Sequence, residues 1–371
     1  MNKKKIAVFF PSMADGGAER ITLNLIRYIA KHYEYTIDLV LVNATGPFIS
    51  QVPETVNIVD LAAKRTLSSV TGLIRYLRKN KPDVLLSGMD YVNVVALVAA
   101  KIAGTNTRTV ICLHTNLTAQ LANPTSGWKR SIVPLIKLTH PWADVIVATS
   151  VGCGVDLVEV TGIDDSNMVD IYNPSITDDI AAKALQPVEH HWFKPESAPV
   201  ILAVGRLAHQ KNLDLLIESF SIVRKTRDAN LLILGDGDKR EELAALIEKL
   251  NLQNHVDMPG FVDNPYAYMA KSKIFVLSSL YEALPTVLIE AMHCGTQLVS
   301  TDCPNGPNEI LDHGKYGQLV PVGDKQAMAG ALTTALDNLQ FEQDPNACDR
   351  FLAENVAKQY IDVFFPNDAH T

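Results

Sequence analysis

Apolar runs alternate with helix-period segments along this whole chain, and the runs are continuous rather than one-sided. In the front half they are "KIAVFF" (5–10), "TIDLVLV" (36–42), "VNIVDL" (56–61), "DVLLSG" (83–88), "RTVICLH" (108–114) and "DVIVATS" (144–150). In the back half they are "PVILAVGR" (199–206), "ANLLILGDG" (229–237), "HVDMPGF" (255–261), "KIFVLSS" (273–279), "TQLVSTD" (296–302) and "GQLVPVG" (317–323). A strand buried on one face alternates apolar and polar residues; a strand covered on both faces does not. Amphipathic stretches such as "AERITLNLIRYIAKH" separate the runs. The pattern predicts a doubly wound parallel α/β unit, written twice. The length of 371 residues agrees with two domains at roughly 150 residues each. Residues 172–199 carry four prolines and no clear period, which sets a front domain at 1–172, a linker at 173–198 and a back domain at 199–349. A last helix is expected at about 350–365.

Several classes are disfavoured early. The start "MNKKKIAVFFPSMADGG" pairs lysines with an apolar stretch, but Ile6 to Phe10 is shorter than a secretion signal needs before Pro11, so it is expected to be a strand. No stretch approaches the roughly 20 apolar residues of a membrane span. The five cysteines are scattered, with no C-x-x-C, which fits a reducing, cytoplasmic setting without a structural zinc. Charge is uneven. Residues 1–142 hold 17 Lys and Arg against 8 Asp and Glu, a balance of +9, whereas the remainder stands at −17. A basic front suggests an anionic partner for that half.

Ligands of doubly wound sheets bind beyond the carboxyl ends of the strands, so the loops that follow strands hold the candidates. After the first strand, Gly16 and Gly17 stand at the mouth of a helix, where bare backbone N–H groups and the helix dipole suit an anion. The spacing is not G-x-G-x-x-G, which argues against a dinucleotide fold. In "GRLAHQKN", Arg206 and Lys211 leave a buried strand as two cations suited to a diphosphate. In "SSLYEALPTVLIEAMHCG" (278–295), Pro285 fits a helix start and leaves the N–H groups of Thr286, Val287 and Leu288 for an anion. Glu282 precedes that start and Glu290 lies one to two turns inside. Both can border one ligand and accept from its hydroxyls. Attraction to the positive helix end would account for Glu282 but not for Glu290.

These stretches together resemble glycosyltransferase family 4. The resemblance rests on "YEALPTVLIEAMHCGTQLVSTDCPNGPNEIL", whose two Glu flank seven residues, and on "GKYGQLVPVGD", "GGAERITLNL", "AVGRLAHQKNLDLLIESF" and "LLILGDGDKREEL". They cover nearly the whole chain in the family's order. Ala283 stands where the family usually has Gly.

The resemblance implies a GT-B fold: two Rossmann-like domains facing across a cleft, with the last helix crossing back to the first. It implies a back half that binds a nucleotide-sugar donor, a UDP-sugar by family weight, and a front half that binds the acceptor. Arg206 and Lys211 would hold the diphosphate. Glu290 would accept from the ribose and Glu282 from the transferred sugar, helped by the groups around Leu284 and after it. Gly16 and Gly17 would approach the donor, Phe261 and Val262 in "GFVDN" would border the base, and His114 would lie near the reacting centre. The family retains anomeric configuration. The resemblance implies a reaction without metal or cofactor, with two cations and a helix terminus stabilising the departing phosphate; Asp164-Asp165 and Asp178-Asp179 lie in polar loops and are not expected to be ion ligands.

For the acceptor, a glycan or a lipid-linked sugar is expected, and no nucleic acid. The basic stretches "LIRYLRKNK" (73–81) and "GWKRSIVPLIKL" (127–138), the latter with Trp128, Lys129, Arg130 and Lys137, suit a peripheral enzyme on an anionic cytoplasmic leaflet. Helices packed on their own sheet would look similar. Competing readings are a nucleotide-sugar epimerase of the same fold and an inactive nucleotide-sugar-binding subunit. The intact cations and both glutamates favour the transferase.

Overall fold

The structure, a computed structural model, describes residues 3–14, 16–122 and 132–366. Trp128, Lys129 and Arg130 lie outside the described residues. The chain divides into two compact units: Met1–Ser175 with Arg350–Thr371, and Ile176–Asp349.

The first unit holds β1 (Lys5–Phe10), β2 (Thr36–Leu41), β3 (Asn57–Asp60), β4 (Val84–Gly88), β5 (Arg108–Leu113), β6 (Val145–Ala148) and β7 (Met168–Asp170). Its helices are α1 (Gly17–His32), α2 (Val70–Asn80), α3 (Asp90–Ala103), α4 (Leu117–Ala122), α5 (Ile132–Thr139) and α6 (Val151–Thr161). The seven strands are all parallel, in the order β3-β2-β1-β4-β5-β6-β7.

Burial on both faces explains the continuous runs. In β1, Ile6, Val8 and Phe10 join one core layer, while Ala7 and Phe9 join the layer under α2 and α3 on the other side. Successive side chains of a strand point to opposite faces, so both sets must be apolar. Strand β7 has no counterpart in the apolar pattern. It is three residues long and lies at the sheet edge with Val169 exposed, too short and too polar for a periodic signal.

The second unit holds α7 (Ile180–Ala184), β8 (Val200–Val204), α8 (Leu213–Val223), β9 (Asn230–Leu234), α9 (Arg240–Lys249), β10 (Val256–Gly260), α10 (Pro265–Lys271), β11 (Ile274–Leu277), α11 (Thr286–His293), β12 (Gln297–Thr301), α12 (Pro307–Ile310), β13 (Gln318–Val320) and α13 (Lys325–Asp337). The parallel strand order is β10-β9-β8-β11-β12-β13. Both sheets therefore run outward in one direction from their first strand, then turn back past it. That reversal opens a crevice at the carboxyl end, between β1 and β4 in one unit and between β8 and β11 in the other.

Residues 176–198, expected as linker, belong to the second unit and pack on it. Asn264 Nδ2 donates to Lys183 O at 2.9 Å, Lys271 Nζ donates to Gln186 O at 2.9 Å, and His190 Nε2 lies 2.9 Å from Asp257 Oδ2. The last helix, α14 (Ala353–Phe364), belongs to the first unit, as expected of a helix that crosses back. Its buried Val356, Tyr360 and Phe364 join the same core layer as Leu23 and Ile26 of α1. Arg108 Nε donates to Val363 O at 2.9 Å, and Tyr35 stacks on Phe365 with ring centroids 4.9 Å apart. Among the described residues no helix is long and apolar enough to cross a membrane.

Candidate active site

In the second unit the loops after β8 and β11 meet at the crevice. The first runs from Gly205 through a short 3-10 turn, His209–Lys211, to Asn212, whose φ of 49° starts α8. The second runs from Ser278 to Pro285. Ser278 Oγ donates to Lys211 O at 2.8 Å and the Leu280 N–H donates to Gln210 O at 2.8 Å, so the two loops are laced together. Gly235 holds the neighbouring loop close: at φ 134°, a Cβ there would fall 2.0 Å from Gly205 O. Only glycine fits a position both strained and crowded in this way.

Glu282 is the centre of this arrangement. It is 7% exposed and accepts from three side chains. Lys211 Nζ lies 2.7 Å from its Oε1, Ser279 Oγ 2.6 Å from the same oxygen, and Gln210 Nε2 3.3 Å from Oε2. Its own N–H donates to Pro304 O at 3.2 Å, in the loop after β12. That loop presses on the site from behind. Gly306, at φ 94°, sits so close that a Cβ would lie 2.5 Å from Pro285 Cδ. Arg206 is exposed nearby in the β8 loop, so one expected cation is already paired with a carboxylate while the other faces solvent. Burial and the Glu282 charge push the adjacent Cys303 thiol up to about 12, which keeps it protonated and inert.

The helix start differs in detail from expectation. Pro285 takes the N-cap of α11 and Thr286 is the first helical residue. The Leu288 N–H donates to Pro285 O at 3.0 Å and the Leu288 side chain is fully buried, so Leu288 is not a free donor as expected. A tight first turn consumes it, leaving Thr286 and Val287 at the terminus. Leu284 is buried at 6% exposure. Glu290, five residues into the count from Thr286, is fully buried, with Cys294 one turn on; burial chiefly, and then the Glu290 charge, push that thiol up to about 12. Beyond β10, Phe261 is 77% exposed and Val262 half-buried.

In the first unit, Gly16 caps α1 and Gly17 begins it. A Cβ on Gly16 would meet Glu19 Oε2 at 2.2 Å, whereas one on Gly17 would meet nothing within 4 Å. The Glu19 carboxylate is the end of a flexible side chain that can swing aside, so packing does not by itself require glycine at 16, and the space at 17 is open. His114 follows β5, and its ring lies against Gly88, where a Cβ would come within 2.9 Å of Cδ2 and Nε2. Enclosure by protein pushes its imidazole down to about 4, so it is neutral at pH 7. Asp90, at the start of α3, accepts from Thr115 Oγ1 at 2.9 Å, and its pKa is raised, by burial above all. Among the described residues no group of three or more His, Cys, Asp or Glu is placed to hold a metal ion.

The buried histidines give a pH dependence. His140, like His114, is pushed down to about 4 by burial. The unfolded chain takes up these protons below about 6.5, the folded chain only near 4. Their contribution to stability is therefore present above pH 6.5 and is lost as pH falls towards 4. Urea unfolding at steps from pH 7.5 to 4.5 should show this fall, and His140→Gln should make it shallower. Identical slopes for the two proteins would contradict the assignment.

Ser279, Gln210, Gly88 and Gly306 were not singled out in the sequence. Each acts through a partner distant along the chain, except Ser279, three residues before Glu282 in a helix-less loop. Its spacing was legible, but its direction was not.

The chain matches two family models: Glycosyltransferase Family 4 over residues 15–178 and Glycosyl transferases group 1 over residues 189–350. It is 32% identical over 350 residues to the N-acetylgalactosamine-N,N'-diacetylbacillosaminyl-diphospho-undecaprenol 4-alpha-N-acetylgalactosaminyltransferase of Campylobacter jejuni, covering 90% of this chain and 91% of the relative. It is 25% identical to the amylovoran biosynthesis glycosyltransferase AmsD of Erwinia amylovora, over 81% of each chain. Among solved structures, HepE of Anabaena in complex with UDP and glucose superposes with a TM-score of 0.79 at 20% identity, over 98% of this chain and 100% of that one. A glycosyltransferase from Rickettsia africae superposes with a TM-score of 0.80 at 19% identity, over 100% of both chains. Two parallel α/β sheets of this strand order, and a sequence matched from end to end, place the chain in glycosyltransferase family 4 with the GT-B fold.

Proposed function

We propose that this glycosyltransferase moves a hexose or N-acetylhexosamine, with retention and without a metal, from a UDP-sugar to a glycan or lipid-linked acceptor in surface polysaccharide or glycoconjugate synthesis. The observation that carries the reading is the Lys211–Glu282 pair at the crevice of the second unit, with Arg206 exposed in the same loop after β8. A departing nucleoside diphosphate gathers charge on its β-phosphate. A preorganised ammonium and guanidinium stabilise that charge where it develops. Glu282 takes hydroxyls of the transferred sugar and Glu290 the ribose. Because Glu290 is closed to solvent, ribose contact requires the side chains over it to part. Phe261 offers an exposed face to the base, and His114, neutral at pH 7, is the first unit's candidate for a catalytic hydrogen bond. The diphospho-undecaprenol in the name of the Campylobacter relative, and the UDP bound to HepE, support this choice of acceptor and donor.

The test is acceptor-dependent release of nucleoside diphosphate. Release should persist in excess chelator. Loss of activity in chelator, regained with a divalent ion, would overturn the metal-free mechanism. Donor hydrolysis or sugar epimerisation that ignores every acceptor would overturn the transferase reading.

An anionic membrane surface is the partner proposed for the first unit. Its support is the +9 balance of residues 1–142, the exposed Arg75 and Lys79 on α2, and Leu135 and Leu138 exposed on α5 beside Lys137. Part of this basic character is structural, since Arg78 Nη2 donates to Ile102 O at 2.8 Å. Sedimentation with anionic vesicles should weaken as salt rises, and Lys129→Glu with Arg130→Glu should abolish it. Equal sedimentation with neutral vesicles would remove this partner and leave the transferase intact.

A further inference from the structure

We propose that Ser279 and Gln210 are positioning residues that hold the Glu282 carboxylate in place while Lys211 is shared with the donor diphosphate; the proposal rests on the reading of Glu282 as a donor-sugar residue. The starting point is a conflict of duties. Lys211 Nζ is 2.7 Å from Glu282 Oε1, yet the same ammonium is assigned to the diphosphate. An ammonium has three hydrogens and can serve both, but a diphosphate carries more charge than one carboxylate. As the diphosphate binds, and again as its charge grows during bond cleavage, Lys211 is drawn towards it. Glu282, 7% exposed, would then lose its charge partner and its anchor together.

The neutral donors supply what Lys211 gives up. Ser279 is fully buried. Its Oγ donates to Glu282 Oε1 at 2.6 Å, and its carbonyl accepts from Thr301 Oγ1 at 2.7 Å, which fixes it to the end of β12. Gln210 Nε2 has two hydrogens. One goes to Tyr281 O at 2.9 Å and the other to Glu282 Oε2 at 3.3 Å. Tyr281 O can only accept, which sets the amide orientation chemically. Gln210 O in turn accepts from the Leu280 N–H at 2.8 Å. Neither donor carries a charge that a phosphate could draw away.

The acceptor count gives this clamp a consequence for the sugar. Lys211 and Ser279 occupy the two lone-pair positions of Oε1, and Gln210 takes one on Oε2. One acceptor position on Oε2 is left for a sugar hydroxyl, and the position on Oε1 that Lys211 vacates as it turns to the diphosphate is a second, both in directions that the clamp dictates. A carboxylate free to rotate would offer those positions in many directions and lose the preorganisation on which transition-state stabilisation depends.

The experiment uses the full chain with UDP as the free diphosphate and UDP-N-acetylgalactosamine as the sugar-bearing probe. Ser279→Ala and Gln210→Met are compared with the parent and with Glu282→Ala. Each is expected to lower kcat about 10-fold, the scale of one hydrogen bond to a charged group, while the Kd for UDP stays within about 2-fold. In the Glu282→Ala background, adding Ser279→Ala should lower kcat no further, because the clamp has nothing left to hold. A multiplicative loss in the double variant, or an unchanged kcat in both single variants, overturns the proposal. So does an equal loss of UDP affinity, which would mark a general disturbance of the loop. If Glu282→Ala itself leaves kcat and sugar-nucleotide affinity unchanged, the donor reading of Glu282 fails and takes the clamp with it. A loss in Glu282→Ala with none in the clamp variants sinks the clamp alone.

Discussion

Lys211→Met is expected to lower turnover by about 10²- to 10³-fold, the scale of removing one preorganised group that stabilises developing charge. The same substitution should also destabilise the second unit. Removing one member of a buried ion pair typically costs roughly 3–5 kcal/mol, because the other charge is left without compensation. The lower end applies here, since the Lys211 side chain is 20% exposed against 8% for Glu282, and solvent screens part of the loss. The two effects separate in a double variant. Lys211→Met with Glu282→Gln has no stranded charge, so urea unfolding should show most of the stability restored. Turnover should stay low, because nothing replaces the ammonium at the phosphate. Stability that fails to recover would mean that Lys211 holds the loops by something other than Glu282. Recovery of turnover with stability would deny Lys211 its place at the diphosphate.

The two glutamates are expected to part by role. Glu290→Gln should weaken binding of UDP and of the UDP-sugar alike, with little change in kcat. Ribose does not react, so its contact is the same in ground and transition states. Glu282→Gln should leave UDP affinity near that of the parent and lower kcat by about 10- to 150-fold, the range of a hydrogen bond to a charged group. Its contact tightens as positive charge develops on the sugar ring. Calorimetry with UDP, beside steady-state kinetics, separates the two. The reverse pattern would exchange the roles. No effect from either would reduce both carboxylates to charges at a helix start. The structure sharpens the expectation for Glu290: it is sealed within the unit, so its change to Gln also alters a buried environment, and the thermal midpoint must be followed alongside.

Much of the fold was legible because its signals are local. A strand covered on both faces is apolar at nearly every position, and twelve largely apolar runs stand in the sequence within a few residues of twelve observed strands, most of them covered in this way, whereas β3 at the sheet edge is largely exposed. The thirteenth, Met168–Asp170, has one exposed edge and three residues, and no local pattern marks it. The motif loops were legible for the same reason. Glycines, a proline before a helix, cations after a strand and carboxylates around a helix start are all signals written over fewer than twenty residues. The resemblance to the family then supplied their order and expected roles.

The partners of those residues were not legible. Lys211 and Glu282 are 71 positions apart, and nothing in "GRLAHQKN" says that its lysine meets the carboxylate of "LYEALP". The Leu288 N–H reads as a free helix-start donor until the first turn tightens onto Pro285. Glu290 reads as an accessible carboxylate until the unit closes around it. Gly88 reads as a strand end until His114 lies against it. Periodicity and composition are properties of neighbours along the chain, and they dictate which segments become buried strands, which become helices and where the loops fall. Distances between side chains from different loops depend on strand order and twist, which set which loop ends share a crevice. The candidate residues were therefore nameable one at a time, whereas the pairing of Lys211 with Glu282, and the clamp around it, exists only where β8 and β11 lie side by side.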